Sequence, residues 1–221
     1  MTIARCDTDA PVALWIVDLA DIAPAGAVAT LSSAELARAA RFRAEADRRR
    51  YMAAHAALRR LIADAVAASP SRLDFIADAR GKPRVSGYRE IHFSLSYAVD
   101  RAVVGLSTAG AIGVDMEACR PIADADELAR LHFSASETAA LDRVSPADRS
   151  RAFLRGWTRK EACLKAIGTG LSLPAASFTC AIDHDRRRVT IQDVGVPRTV
   201  EVASVALPAA DTLLAWALVR E

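Results

Sequence analysis

Ile112-Gly113-Val114-Asp115-Met116-Glu117 is the stretch on which the reading of this chain turns. Apolar residues alternate with acids, the period of a strand that buries one face. Successive strand side chains point to opposite faces, so Asp115 and Glu117 share one face while Val114 and Met116 take the other. Two carboxylates about 7 Å apart, from a rise of ~3.3 Å per residue, repel each other unless a cation lies between them. A second stretch, Trp157-Thr158-Arg159-Lys160-Glu161-Ala162-Cys163-Leu164-Lys165, has helical spacing. There Trp157, Glu161 and Lys165 fall on one stripe. Three carboxylates and a lysine suit hard-cation chemistry on a phosphorylated ligand.

Lysine usage points the same way. Of 29 basic residues only three are lysines, Lys82, Lys160 and Lys165. Two lie in the helical stretch and the third in the turn signature Gly81-Lys82-Pro83. Lysine is a compact point charge and arginine a planar fork, so these are places where a fork will not serve. The alternative is chance clustering.

At 221 residues the chain can form one large domain or two smaller ones. A hydrophobic content of 52% with 25% charged residues describes a globular protein, and a net charge of +2 does not argue for nucleic acid or an anionic membrane as partner, so that any basic surface must be local. The start, Met1-Thr2-Ile3-Ala4-Arg5-Cys6-Asp7, lacks a signal-peptide pattern, and no run of 18 apolar residues offers a membrane span. Cys6, Cys119, Cys163 and Cys180 show no close pairing, which implies reduced thiols and a cytoplasmic setting. His55, His92, His132 and His184 are scattered, which argues against a histidine-based metal centre.

Pro11 to Ala20 reads as a first strand, and Ser33 to Ala68 as two helices broken near Phe42 to Asp47. Strands follow around Leu73–Ile76, Ile91–Ser96, Ala102–Ser107 and Ile112–Glu117. Ser134 with Glu137 reads as a capping box, Ser145-Pro146 as the start of a long helix ending near Ile167, and Gly168 as its stop. Phe178–Ile182, Val189–Gln192, Val200–Val205 and Leu213–Val219 read as further strands. The expected class is α+β. Two similar subdomains, 1–109 and 110–221, would each pack a small, mainly antiparallel sheet against a long helix, related by a pseudo-two-fold. The arginines between Arg48 and Arg60 read as a solvated helix face; the alternative has one or two of them holding a phosphate.

The two stretches together resemble the diagnostic motifs of the 4′-phosphopantetheinyl transferases, of the surfactin-synthetase-activating type built from two halves. GVDME at 113–117 and WTRKEACLKAIGTGLSLP at 157–174 carry the resemblance. Gly81-Lys82-Pro83, Phe93-Ser94-Leu95-Ser96 and the helix from Arg50 to Arg59 support it, and it covers roughly Arg38 to Phe178. It implies transfer of the phosphopantetheine arm of coenzyme A to a serine of an apo carrier protein, peptidyl or acyl, with release of 3′,5′-ADP. Such carriers would serve nonribosomal peptide or polyketide assembly, with fatty-acid carriers equally open. The resemblance implies that Asp115, Glu117 and Glu161 hold Mg²⁺, with Mn²⁺ as a substitute. Asp115, Glu161 and Lys165 would then be catalytic, Glu161 as base toward the carrier serine and Lys165 at the pyrophosphate. Arg50, Lys82, Pro83, Ser96, Tyr97, Lys160 and Lys165 would contact coenzyme A. Tyr97 stands where the family usually has histidine and Ser94 where it has asparagine. A tyrosine carries no positive charge at neutral pH. The partners implied are coenzyme A and a carrier, with no nucleic acid and no membrane, and the protein a monomer.

Two rival readings remain. One is a non-catalytic module of the same fold that binds coenzyme A or a carrier. The other is a different Mg²⁺-dependent phosphotransferase, disfavoured because Gly81-Lys82 is followed by Pro83 and no phosphate-cradling GK[ST] loop exists. For a carrier, the segment Arg120 to Phe133 offers Arg120, Arg130, Leu128, Leu131 and Phe133 as a mixed basic and apolar surface.

Overall fold

The computed structural model describes residues 2–8, 10–20, 24–182, 186–207 and 211–220, so His184 lies outside the described residues. The first half opens with strands β1 (Ile3–Cys6) and β2 (Ala13–Asp18), then helices α1 (Pro24–Val28), α2 (Ser33–Ala39) and α3 (Glu45–Val66). Four strands complete it: β3 (Phe75–Ala77), β4 (Pro83–Val85), β5 (His92–Ala98) and β6 (Arg101–Ser107). The second half runs β7 (Ile112–Ala118), α4 (Ala125–His132), α5 (Ala135–Asp142), α6 (Arg149–Ile167), β8 (Arg186–Asp193), β9 (Val196–Val205) and β10 (Thr212–Arg220). Strands β1-β2-β6-β5 form one antiparallel sheet and β7-β10-β9-β8 another, while β3 and β4 make a small hairpin. The fold is thus α+β, with each sheet drawn from one half. No helix among the described residues is long and apolar enough to cross a membrane.

Alternation along the strands builds the layers. On β6, Ala102, Val104 and Leu106 pack with Ala53, Ala54 and Leu58 of α3, while Val103 faces the other way. On β7, Ile112, Val114 and Met116 meet Leu14, Val103 and Trp216 in a core that both halves share. On β10, Ala215, Ala217 and Val219 pack with Ala162, Leu164 and Ala166 of α6. Two sheets therefore sit back to back between α3 and α6. Because Val114 and Met116 point into the shared core, Asp115 and Glu117 must point to the α6 side.

The edges β5 and β7 are not laddered to one another. Instead Ser94 Oγ accepts the Val114 N–H at 3.0 Å and Ser96 Oγ accepts the Met116 N–H at 3.3 Å. Two hydroxyls spaced at i, i+2 thus satisfy backbone donors that would otherwise be buried and bare.

Three expectations change. The short β1 is an added strand, paired to β2. Helix α6 begins at Arg149 with Asp148 as its N-cap, because Ser145 Oγ instead takes the Asp148 N–H and donates to its carboxylate. Residues 178–182 form no strand. Their backbone is satisfied by side chains: Cys180 and Ala181 N–H donate to the Glu137 carboxylate, Lys160 donates to Phe178 O, and Arg159 donates to Cys180 O. Glu137 also closes the capping box of α5 with Ser134.

Candidate functional site

Helix α6 lies on β7 with no side chain between them. A Cβ built on Gly113 would fall 2.0 Å from the Ala162 carbonyl oxygen and 2.4 Å from the Ala166 nitrogen. That backbone contact brings the Glu161 and Lys165 stripe over Asp115 and Glu117. Lys165 Nζ donates to Asp115 Oδ1 at 2.7 Å and to Ser96 Oγ at 3.1 Å, and the Ser96 hydroxyl donates to the same Asp115 oxygen at 2.9 Å. Asp115 is buried, and its Oδ2 has no hydrogen-bond partner.

The electrostatics follow from this crowding. Burial pushes the Asp115 carboxyl above its ordinary value; Lys165 and the Ser96 hydroxyl oppose that rise, and the Glu117 charge adds to it. Burial likewise raises Glu161, helped by the charges of Asp115 and Glu117 and opposed by Lys165. Asp115 thus feels the Glu117 charge, and Glu161 the charges of both.

Among the described residues, however, no three acidic, histidine or cysteine side chains converge to enclose an ion. Asp115 is turned to Lys165, and Glu117 accepts from Arg120 at 2.8 Å. An orphaned, buried carboxylate oxygen beside two further acids is nevertheless an oxygen-only donor set whose chemistry fits a hard divalent cation.

Beside these acids opens a cleft of about 880 Å³, lined from both halves by Arg38, Tyr51, Phe75, Lys82, Tyr97 and Lys165 among others. Lys165 is the side chain that belongs to both the cleft and the acid cluster. Pro83, at the start of β4, lines the cleft, and so does exposed Tyr97 on β5, whose hydroxyl burial raises above the ordinary tyrosine value. Ser96 lies on the opposite face of β5 from Tyr97 and reaches Asp115 instead.

The structure corrects two assignments. Lys160 does not face the cleft: it is fully buried, with Nζ against Glu137 Oε2 at 2.8 Å and the carbonyls of Ala175 and Phe178 at 2.7 Å each. On a helix, Lys160 is one residue from the Glu161 stripe, about 100° away, which turns it into the core. Arg50 is not among the residues that line the cleft; it is held by Asp47 at 3.1 Å and Asp100 at 3.0 Å. Lys82 lines the cleft with its stem, but its ammonium donates to the carbonyls of Ile112 (3.0 Å), Lys165 (2.6 Å) and Ala166 (2.7 Å). Burial, with Arg84 nearby and Asp78 opposing, lowers its pKa to about 8.

Sequence reasoning missed Arg38, which lines the cleft with its guanidinium 5.7 Å from the Tyr51 ring centre. Its position on the short α2, among many arginines, carried no distinguishing signal. It also missed the aromatic wall of Tyr51 and His55 from α3 and Phe75 from β3.

The second half, residues 111–208, matches the family model described as the 4′-phosphopantetheinyl transferase superfamily. The chain is similar to the 4′-phosphopantetheinyl transferase HetI of Nostoc sp., 36% identical over 65% of this chain and 62% of that protein. It is similar to psf-1 of Bacillus pumilus, 33% identical over 76% of this chain and 72% of that protein. It is also similar to AcpT of Escherichia coli, 35% identical over 65% of this chain and 71% of that protein. The chain spans less than two thirds of the length of HetI. On these matches the chain belongs to the 4′-phosphopantetheinyl transferase superfamily.

Proposed function

We propose that this protein transfers the 4′-phosphopantetheine arm of coenzyme A to a serine of an apo carrier protein. The observation that carries the reading is the position of Lys165, which lines the cleft and pairs with Asp115 at 2.7 Å. A pyrophosphate seated in the cleft would have its scissile linkage beside Lys165, where that cation meets the acids. The carrier serine oxygen attacks the phosphorus that bears the pantetheine arm, and the bond from that phosphorus to the bridging oxygen breaks. The bridging oxygen and its electron pair leave as 3′,5′-ADP. Glu161, whose carboxyl burial raises above its ordinary value, takes the serine proton. Lys165 places its charge against the oxygens on which negative charge builds. Arg38 is the cleft arginine best placed to meet a further phosphate, since Arg59 is tied to Glu35 and Arg80 to Asp193.

Asp115, Glu117 and Glu161 are the residues that would hold Mg²⁺ (or Mn²⁺), which supplies neutralising charge to the pyrophosphate when bound. In the same reading the two-halved build is of the surfactin-synthetase-activating type, with a pseudo-two-fold between 1–109 and 110–221. The protein works as a cytoplasmic monomer.

The test is intact-mass spectrometry of a panel of apo acyl and peptidyl carriers incubated with coenzyme A and Mg²⁺. A phosphopantetheine adduct on the carrier serine is expected, lost in Asp115→Ala and reduced roughly 100-fold in rate in Glu161→Gln, the scale of a missing general base. Binding of coenzyme A with no adduct on any carrier would make the protein a non-catalytic module instead.

A further inference from the structure

Two groups that family resemblance assigns to the ligand are fully engaged with the protein. An ammonium has three N–H donors and no acceptor; a hydroxyl has one donor and two acceptor lone pairs. Lys82 Nζ uses its three donors on the carbonyls of Ile112, Lys165 and Ala166. Its stem runs along the end of α6, where a Cβ on Gly168 would come within 3.1 Å of Lys82 Cδ. Ser96 Oγ donates to Asp115 Oδ1 and accepts from the Met116 N–H and from Lys165 Nζ. Neither group has hydrogen-bonding capacity left for a phosphate.

All six bonds run between the first half and the second, and two of them, one from each residue, meet Lys165. Lys82 grips the main-chain carbonyl of Lys165, and Ser96 meets its ammonium at the other end of the side chain. Lys165 also donates to Asp115. Among the described residues this uses two of its three N–H groups and leaves the third for the cleft.

We propose that Lys82 and Ser96 are positioning residues that set Lys165 and Asp115 for reaction, and are not contacts for the phosphates of the nucleotide. The proposal rests on the transferase reading above. It gives the first half a task beyond forming one wall of the cleft: it fixes the catalytic lysine of the second half by its backbone and by its tip.

The experiment compares Lys82→Met, Ser96→Ala, the double variant and Ser96→Thr with the unaltered protein. Three quantities are read: kcat and KM for coenzyme A in carrier loading, affinity for coenzyme A at equilibrium, and the rate at which an amine-acylating reagent labels Lys165, followed by peptide mass spectrometry. Positioning predicts kcat down roughly 10- to 100-fold in each single variant, the scale of a small misplacement of a catalytic group, with KM and affinity for coenzyme A within about two-fold. The double variant should lose less than the product of the two single losses, because both act on one side chain. Lys165 should label faster in both single variants, and Ser96→Thr, which keeps the hydroxyl, should restore much of kcat. A roughly ten-fold rise in KM with kcat kept would make the two residues ligand contacts and overturn the proposal. Unchanged kcat and labelling with only a lowered Tm would reduce them to fold staples and overturn it equally. If Lys82→Met fails to fold, Ser96→Ala carries the same comparison. No transfer by the unaltered protein would overturn the transferase reading, and the labelling rates would still decide the positioning.

Discussion

Each of the three lysines meets a cup of oxygens that a tetrahedral ammonium fits and a planar guanidinium does not. Lys82 faces three carbonyls, Lys160 a carboxylate and two carbonyls, and Lys165 a carboxylate and a hydroxyl. The rarity of lysine among 29 basic residues was therefore a signal of geometry, legible in the sequence. Which cup faces the ligand was not legible, because the acceptors of Lys82 and Lys160 are backbone oxygens far along the chain. Lys160 shows the difference. It is a buried partner of Glu137, so Lys160→Met leaves a buried carboxylate unpaired. The expected loss is about 3–5 kcal/mol, measured by chemical denaturation, with KM for coenzyme A unchanged in the folded fraction. A raised KM at unaltered stability would return Lys160 to the ligand.

Elements place these residues through contacts that a substitution can probe. Gly113 is the point where α6 touches β7 backbone to backbone. Gly113→Ala must lift the helix from the strand, costing about 1–3 kcal/mol of overpacking. Transfer should fall further than that loss explains, because Glu161 and Lys165 ride on the lifted helix; parallel losses of stability and rate would deny the glycine this role. On another wall of the cleft Glu35 ties α2 to α3. It closes the capping box with Ser32 and accepts from His55 Nδ1 at 3.2 Å and Arg59 Nε at 2.7 Å. Burial alone would raise its carboxyl, but the hydrogen bonds from His55 and Ser32 and the Arg59 charge lower it from 4.5 to about 2. A carboxyl lowered by folding stabilises the fold above its ordinary value and loses that contribution as pH falls from 4.5 toward 2. Glu35→Gln should therefore flatten the acid limb of a stability–pH curve across that window; an unchanged limb would show that another group sets it. Local pattern was enough to read the α2 and α3 break, the capping box at Ser134 and β7, but not the second box at Ser32. The stretch 178–182 misled because its strand-like residues hand their backbone groups to Glu137, Arg159 and Lys160, which no local pattern reveals.

Across the whole molecule, the transferase reading proposed above puts carrier docking on the surface beside the acids. Within Arg120 to Phe133, Phe133 is buried and Leu128 half-buried, so neither is a free anchor, whereas Leu131 is 63% exposed and Arg130 lies exposed beside it. Arg120 is held by Glu117, which makes charge reversal there disturb the acid cluster as well. Arg130→Glu is the cleaner probe. It should raise KM for the carrier several-fold, leave that for coenzyme A unchanged and blunt the salt dependence of the rate. An unaltered KM for the carrier would move docking to another face. The back-to-back sheets bear on a different question, how such a chain can be cut or shortened. Among the described residues strand β7 has no backbone ladder on its outer side; Ser94 and Ser96 of the other half quiet its N–H groups, and Ile112, Val114 and Met116 are covered by Leu14 and Val103. A gene encoding residues 110–221 alone would release a sheet with a raw, apolar margin, ready to add a strand from any neighbour. A shorter relative that dispensed with the first half would have to recruit its missing margin from another chain.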